Sequence, residues 1–192
     1  MPAVRTLARA ALTSVATFEG VQAMLRWDAR RRLFAAAQRR ALALGRPLVV
    51  VGDPDAGAHT RLMRAYDCGD LCVDLHGCPR CPVMQFADLT AGPVPGVAAD
   101  SAVVFVSCVL EYVADIHAAI AELQRMAGSA DNLFVATVQS WTLTAALYPG
   151  ARWVATPNPT GLTTTPVQTI HKIGAASAVL TLLALALWPS RP

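Results

Sequence analysis

Charge is scarce in this chain: Asp, Glu, Lys and Arg make up 15% of its 192 residues, and the formal net charge is only +3. So small a positive balance leaves no electrostatic footprint for a phosphate backbone, and nucleic acid is not an expected partner. No internal repeat is present, so the fold is not assembled from stacked units. No intact Gly-x-Gly-x-x-Gly follows the first apolar run, which places a dinucleotide-binding oxidoreductase well down the order of readings. Residues 1–15 contain no acid at all. That stretch has the Arg, Ala, Ser and Thr content of an organelle transit peptide, while its apolar run is too broken for a secretory signal.

Apolar residues, by contrast, are abundant. They form 54% of the chain, and the mean hydropathy is +0.41. The length suits one α/β core with an appendage rather than two independent domains. From Ile173 to Trp188 the chain carries no charge for about 16 residues, a span of about 24 Å as a helix against a hydrocarbon core of roughly 30 Å. His171 and Lys172 precede this run and Trp188 ends it, as suits a basic membrane face and an interfacial aromatic. A C-terminal membrane anchor over 170–189 is the expectation, with the main domain cytosolic; a buried Ala/Leu-rich helix is the alternative. The Pro- and Thr-rich stretch 156–169 reads as a linker. Residues 1–45 form a basic N-terminal helical region. Within it, Val21, Met24, Leu25, Leu33, Phe34, Ala37 and Leu42 predict an amphipathic helix over 18–44 that covers the sheet or touches anionic lipid.

Between these ends, 46–155 alternates strand and helix patterns. Leu48 to Val51 is a continuous apolar run, as in a strand buried on both faces. A turn from Gly52 to Gly57, a helix over 58–66, and strands over 70–74 and 83–87 follow. Strands over 102–106 and 132–138 flank a helix over 115–127. Residues 141–148 read as a further helix and 152–155 as a last short strand. This alternation predicts a parallel sheet with right-handed crossovers and a ligand site beyond the strand carboxyl ends.

Within that core, Ser107, Val109, Leu110, Glu111 and Val113, followed by Glu122, Leu123 and Arg125, resemble the fourth strand and following helix of class I S-adenosylmethionine-dependent methyltransferases. The resemblance covers about residues 47–139 and implies a Rossmann-like α/β fold, here truncated after the fifth strand. It also implies a cofactor site. Gly52 and Gly57 stand where that family has a glycine-rich turn, but Asp53, Pro54 and Asp55 replace the middle glycine. Those two carboxylates would meet the cofactor's carboxylate with like charge or attract its sulfonium or amino group; a plain capped β-to-α turn explains them equally well. Asp74 follows Gly52 by about 22 residues, the spacing of an acid that accepts from ribose hydroxyls. Asp88 resembles the acid beside the adenine amino group. Ser107, Cys108 and Glu111 would carry the cofactor side, Glu111 and Tyr112 fall in the loop where methyl donor and acceptor meet, and no residue specifies a general base.

Cys68, Cys72, Cys78 and Cys81 are the remaining feature. Four thiolates suit a tetrahedral structural zinc, with Cys78 and Cys81 at knuckle spacing; a redox pair between Cys78 and Cys81, or plain buried thiols, are the alternatives. Two functions are therefore expected in competition. The first is a membrane-anchored methyltransferase acting on an unspecified acceptor. The second is a membrane-tethered Rossmann-like scaffold without catalysis, with or without zinc in its cysteine loop.

Overall fold

The computed structural model describes residues 2–56, 64–136, 152–154, 164–166, 181 and 183. Its core is one parallel sheet of five strands: β1 (Leu48–Val51), β2 (Leu71–Asp74), β3 (Met84–Phe86), β4 (Val103–Ser107) and β5 (Leu133–Ala136), in the order β3-β2-β1-β4-β5. This is the Rossmann-like α/β arrangement expected, and its order reverses between β1 and β4. The strands β1 and β4 are buried along their whole length. Alternate side chains serve opposite faces, which is why each reads as an unbroken apolar run.

One face is aromatic. Leu48, Val50, Val103 and Phe105 meet Phe34, Ala37 and Ala41 of α1 (Pro2–Leu44), together with Tyr66. The Phe105 ring stands edge-on to Phe34 with centroids 5.2 Å apart. The other face is aliphatic, with Val49, Val51, Val104 and Val106 against Ile116, Ala119, Leu123 and Met126 of α2 (Ile116–Ala127). The second helix is framed by its own sequence. The Asp115 carboxylate accepts from the His117 and Ala118 amides at its start, and Gly128 adopts the left-handed conformation that closes its end.

Glu122 and Arg125, two residues of the resemblance, are structural here. Glu122 is buried and accepts from the Val94 amide at 2.7 Å, while Arg125 grips the same carboxylate at 2.6 and 2.8 Å and reaches the Val97 carbonyl at 2.8 Å. Burial pushes the Glu122 carboxyl up, but the Arg125 hydrogen bonds, the Val94 amide and the guanidinium charge outweigh it and leave the group below its usual range. The clamp fixes the 94–97 loop against α2.

The first helix departs from the expectation in extent and in facing. It runs from Pro2 rather than from residue 18, so residues 2–15 are helical too. Of its expected apolar face, Phe34 and Ala37 are buried and Leu33 packs beside them, but Val21, Met24, Leu25 and Leu42 are 49%, 63%, 58% and 82% exposed. The reason is geometric. A 43-residue helix is about 65 Å long, whereas a strand of four or five residues spans about 15 Å, so only the last part of α1 can rest on the sheet. Arg40 adds a polar tie there, donating to Asn132 at 2.9 Å.

Residues 64–66 are irregular, so the helix expected over 58–66 does not include them; 57–63 and 141–148 lie outside the described residues. Arg152–Val154 (β6) pairs antiparallel with Thr164–Pro166 (β7), so a strand falls inside the segment read as linker. Among the described residues no helix is long and apolar enough to cross a membrane. Of the segment 170–189, only Thr181 and Leu183 are described.

Candidate functional site at the carboxyl edge of the sheet

The turn after β1 decides the shape of this edge. Gly52 has φ 103°, and a Cβ there would lie 2.7 Å from the Ser107 carbonyl oxygen and 3.0 Å from Val109. Only glycine fits that close approach of the β1 and β4 ends. The Gly52 amide donates to the Val73 carbonyl at 2.9 Å, and the Asp53 amide donates to the Asp74 carboxylate at 3.1 Å, so β2 holds the turn from its other side. Asp53 then builds the turn itself: its carboxylate accepts from the Asp55 amide at 3.0 Å, and its carbonyl from the Tyr66 hydroxyl at 3.3 Å.

Beyond these strand ends lies a cavity of about 530 Å³. Val51, Val73 and Val109 line it with apolar surface, Asp74, His76, Asp88 and Thr90 contribute polar groups, and Cys108 and Tyr112 lie on the β4 side. Asp74 is half-buried, and its two oxygens accept from the Asp53 and His76 amides. Asp88 is exposed; its Oδ1 accepts from the Thr90 amide at 2.8 Å and the Thr90 hydroxyl at 2.7 Å, and these two bonds hold its pKa below the ordinary value. A larger trough of about 1100 Å³ lies at the opposite end, between α1 and the amino ends of β1 and β2. Parallel sheets take ligands at their carboxyl ends, so the smaller cavity is the candidate site.

The sequence-derived site residues thus divide. Asp74, Asp88 and Cys108 line the cavity. Gly52 and Asp53 shape its back without lining it. Asp55 turns away: its buried carboxylate faces Arg64 at 3.8 Å and Arg80 at 4.0 Å, and it does not line the cavity. Ser107 and Glu111 are 5% and 1% exposed and belong to the packed interior rather than the cavity wall. Gly57 lies outside the described residues.

Cys108 stands at the junction with α1. It has φ 54°, a conformation uncommon for a side-chain-bearing residue, and Arg30 of α1 donates to its sulfur. Burial pushes its thiol up to about 11, against the pull of the Arg30 charge. Tyr66 is raised to about 12, again by burial. Thr90 and Arg30 were not foreseen as site residues. The Asp88-Leu89-Thr90 turn signal was present in the sequence, whereas nothing local links Arg30 to a residue 78 positions away.

The cysteine lobe lies beside β2, and Cys68 lines the trough at the amino ends of β1 and β2. Its four sulfurs do gather in one buried cluster, but as two disulfides, Cys68–Cys81 and Cys72–Cys78. The alternative of a Cys78–Cys81 pair is corrected accordingly: each of these cysteines bonds to a different partner. Because β2 and β3 are parallel neighbours, the loops leading into them lie side by side, which brings Cys68 to Cys81 with Cα atoms 5.5 Å apart. Cys78 folds back over β2 to reach Cys72. No protein-family model, curated protein or solved structure matches this chain.

Proposed function

We propose that the carboxyl-edge cavity binds S-adenosylmethionine and that the chain is a methyltransferase tethered to a membrane by its segment 170–189. One observation carries the cofactor reading: Asp74 and Asp88, the two acids singled out by the resemblance, line the same cavity at the point where the strand order reverses. The cavity's chemistry fits a nucleoside. Asp74 would accept from ribose hydroxyls, Asp88 from an exocyclic amino group through its Oδ2, and Leu75, Leu89 and Val109 offer apolar surface for the base. Asp55 is neutralised by arginines outside the cavity, which lessens the like-charge conflict raised by the Asp53-Pro54-Asp55 turn. When bound, the cofactor supplies an electrophilic methyl group for in-line displacement. The protein's part is to orient the donor over Gly52 and to keep the acceptor on the Tyr112 side.

A second reading is a tethered scaffold with no catalysis. It is favoured by the use already made of Asp74, both of whose oxygens cap backbone amides.

Saturation binding of labelled S-adenosylmethionine to the full-length chain tests the first reading. Asp88→Ala and Asp74→Asn should each weaken binding about tenfold, the loss of one hydrogen bond to a charged group. A folded chain that shows no saturable binding leaves the scaffold as the reading.

A further inference from the structure

The loops leading into β2 and β3 concentrate sulfur in one place. Cys68, Cys72, Cys78 and Cys81 form a buried cluster distinct from the two apolar clusters of the core, with Cys72 and Cys78 fully inaccessible. The two disulfides are not independent staples. The sulfurs of Cys72, Cys78 and Cys81 all lie within 4.8 Å of one another, although Cys81 is bonded to Cys68. In a tetrahedral zinc tetrathiolate, Zn–S bonds of roughly 2.3 Å place the sulfurs about 3.8 Å apart. Cys68 joins this group through its bond to Cys81, so opening both S–S bonds leaves four thiols in one neighbourhood.

Two further features suit a metal. Cys78-Pro79-Arg80-Cys81 closes a tight turn, with the Cys81 amide donating to the Cys78 carbonyl at 2.9 Å, and supplies the two-residue ligand spacing of zinc knuckles. Arg64 lies 3.5 Å from the Cys68 sulfur, where a guanidinium offsets the negative charge that four thiolates retain around a divalent ion. Disulfides persist in oxidising compartments and not in a reducing cytosol, so in the latter this buried cluster exists as thiols.

We propose that the thiol form of this lobe is a zinc site closed by Cys68, Cys72, Cys78 and Cys81, and that metal and disulfides are alternative closures of the same lobe. The conversion balances with a dithiol as reductant. Each protein disulfide takes two electrons and two protons from one dithiol, which becomes a disulfide itself. The four thiols then release four protons to solvent as Zn²⁺ binds, leaving a tetrathiolate centre of charge −2. Asp74 and His76 sit in the loop between Cys72 and Cys78, so either closure holds the turn that lines the cavity. The site itself stands whether or not that cavity takes a methyl donor.

The test uses the full-length protein, reduced with a dithiol, desalted under inert gas and titrated with Co²⁺ and then Zn²⁺. The expected result is one Co²⁺ per chain with the visible bands of a tetrahedral ion and strong near-ultraviolet sulfur-to-cobalt absorption, both bleached by one equivalent of Zn²⁺. The unreduced protein should take none. Cys78→Ser should weaken binding on the order of a hundredfold, and Cys108→Ser should leave it unchanged. If Cys78→Ser fails to fold, alkylation of the reduced wild-type chain decides: zinc should protect four thiols and leave Cys108 unaffected. Absence of Co²⁺ binding, an octahedral spectrum, a folded Cys78→Ser chain with unchanged affinity, or thiols that zinc fails to protect would each overturn the proposal. No readout involves a methyl donor, so failure here is distinguishable from failure of the cofactor reading.

Discussion

The two halves of the carboxyl edge carry the same kinds of residue in opposite surroundings. On the β2–β3 side, Asp74 is half-buried, Asp88 is exposed, and both cap turns that open onto the cavity. On the β4 side, Ser107 and Glu111 are almost wholly buried, and burial raises the neighbouring Tyr66 hydroxyl to about 12 and the Cys108 thiol to about 11. An acid or hydroxyl at a strand end is therefore not by itself a ligand contact. On the first half the loops leave room beyond the strand. On the second, α1 reaches Cys108 through Arg30, and the polar groups at the strand end are packed into the interior.

The pivot between the halves should be the most sensitive position. Gly52→Ala imposes a positive φ on an L-residue and drives a Cβ against the Ser107 carbonyl, so a loss of about 3 kcal/mol in unfolding free energy is expected. Both halves should suffer, and ligand binding with them. A loss below about 1 kcal/mol by urea denaturation would show that the β1 and β4 ends are not held this closely.

Behind the closed half, Glu122→Gln should cost about 2 kcal/mol at neutral pH, since it weakens a charge-assisted clamp whose arginine is partly exposed. The sign with pH follows from the depressed Glu122 pKa. Its contribution is complete above the ordinary glutamate value of 4.5 and is lost as pH falls below that value and through the lower folded-state pKa. The difference between wild type and Glu122→Gln should accordingly shrink in acid. A difference that stays constant between neutral pH and strongly acidic solution would assign the clamp's effect to shape rather than charge.

On the open half, the corresponding test is Cys72→Ser combined with Cys78→Ser in the oxidised protein. Closing a loop of sequence separation 6 contributes about 2 kcal/mol through the unfolded chain. The change should also loosen the Asp74 turn, seen as faster amide exchange at His76, while leaving the 94–97 loop unaffected. Equal loosening of both loops would erase the distinction between the halves.

Much of this architecture was legible because burial on two faces leaves a simple imprint. The runs at Leu48–Val51 and Val103–Ser107 and the capped helix Ile116–Ala127 come directly from apolar continuity, the Asp115 cap and Gly128. The facing of α1 was not legible, because its apolar residues Val21, Met24 and Leu25 continue a helical pattern beyond the sheet that could bury them. Nor was the cysteine pairing, which depends on which loops the parallel register of β2 and β3 sets side by side. The acids at strand ends could be found from spacing alone. Whether each faced a cavity, as Asp74 does, or a pair of arginines, as Asp55 does, is decided by loops that carry no periodicity.

The finest test of the open half concerns Asp88. Its pKa is lowered first by the Thr90 amide and then by the Thr90 hydroxyl, so Thr90→Val removes only the second donor. The Asp88 pKa should rise part of the way toward its ordinary value of 3.8, as read from carboxyl chemical shifts, with no measurable change in stability because the group lies in solvent. A full return would mean that the hydroxyl, not the amide, organises the turn. No rise at all would mean that the Thr90 hydroxyl does not engage Asp88 in solution, leaving both carboxylate oxygens except for one backbone bond open to a ligand. In that case Thr90→Val should leave binding unaltered, whereas an engaged hydroxyl that orients the carboxylate predicts weaker binding when it is removed.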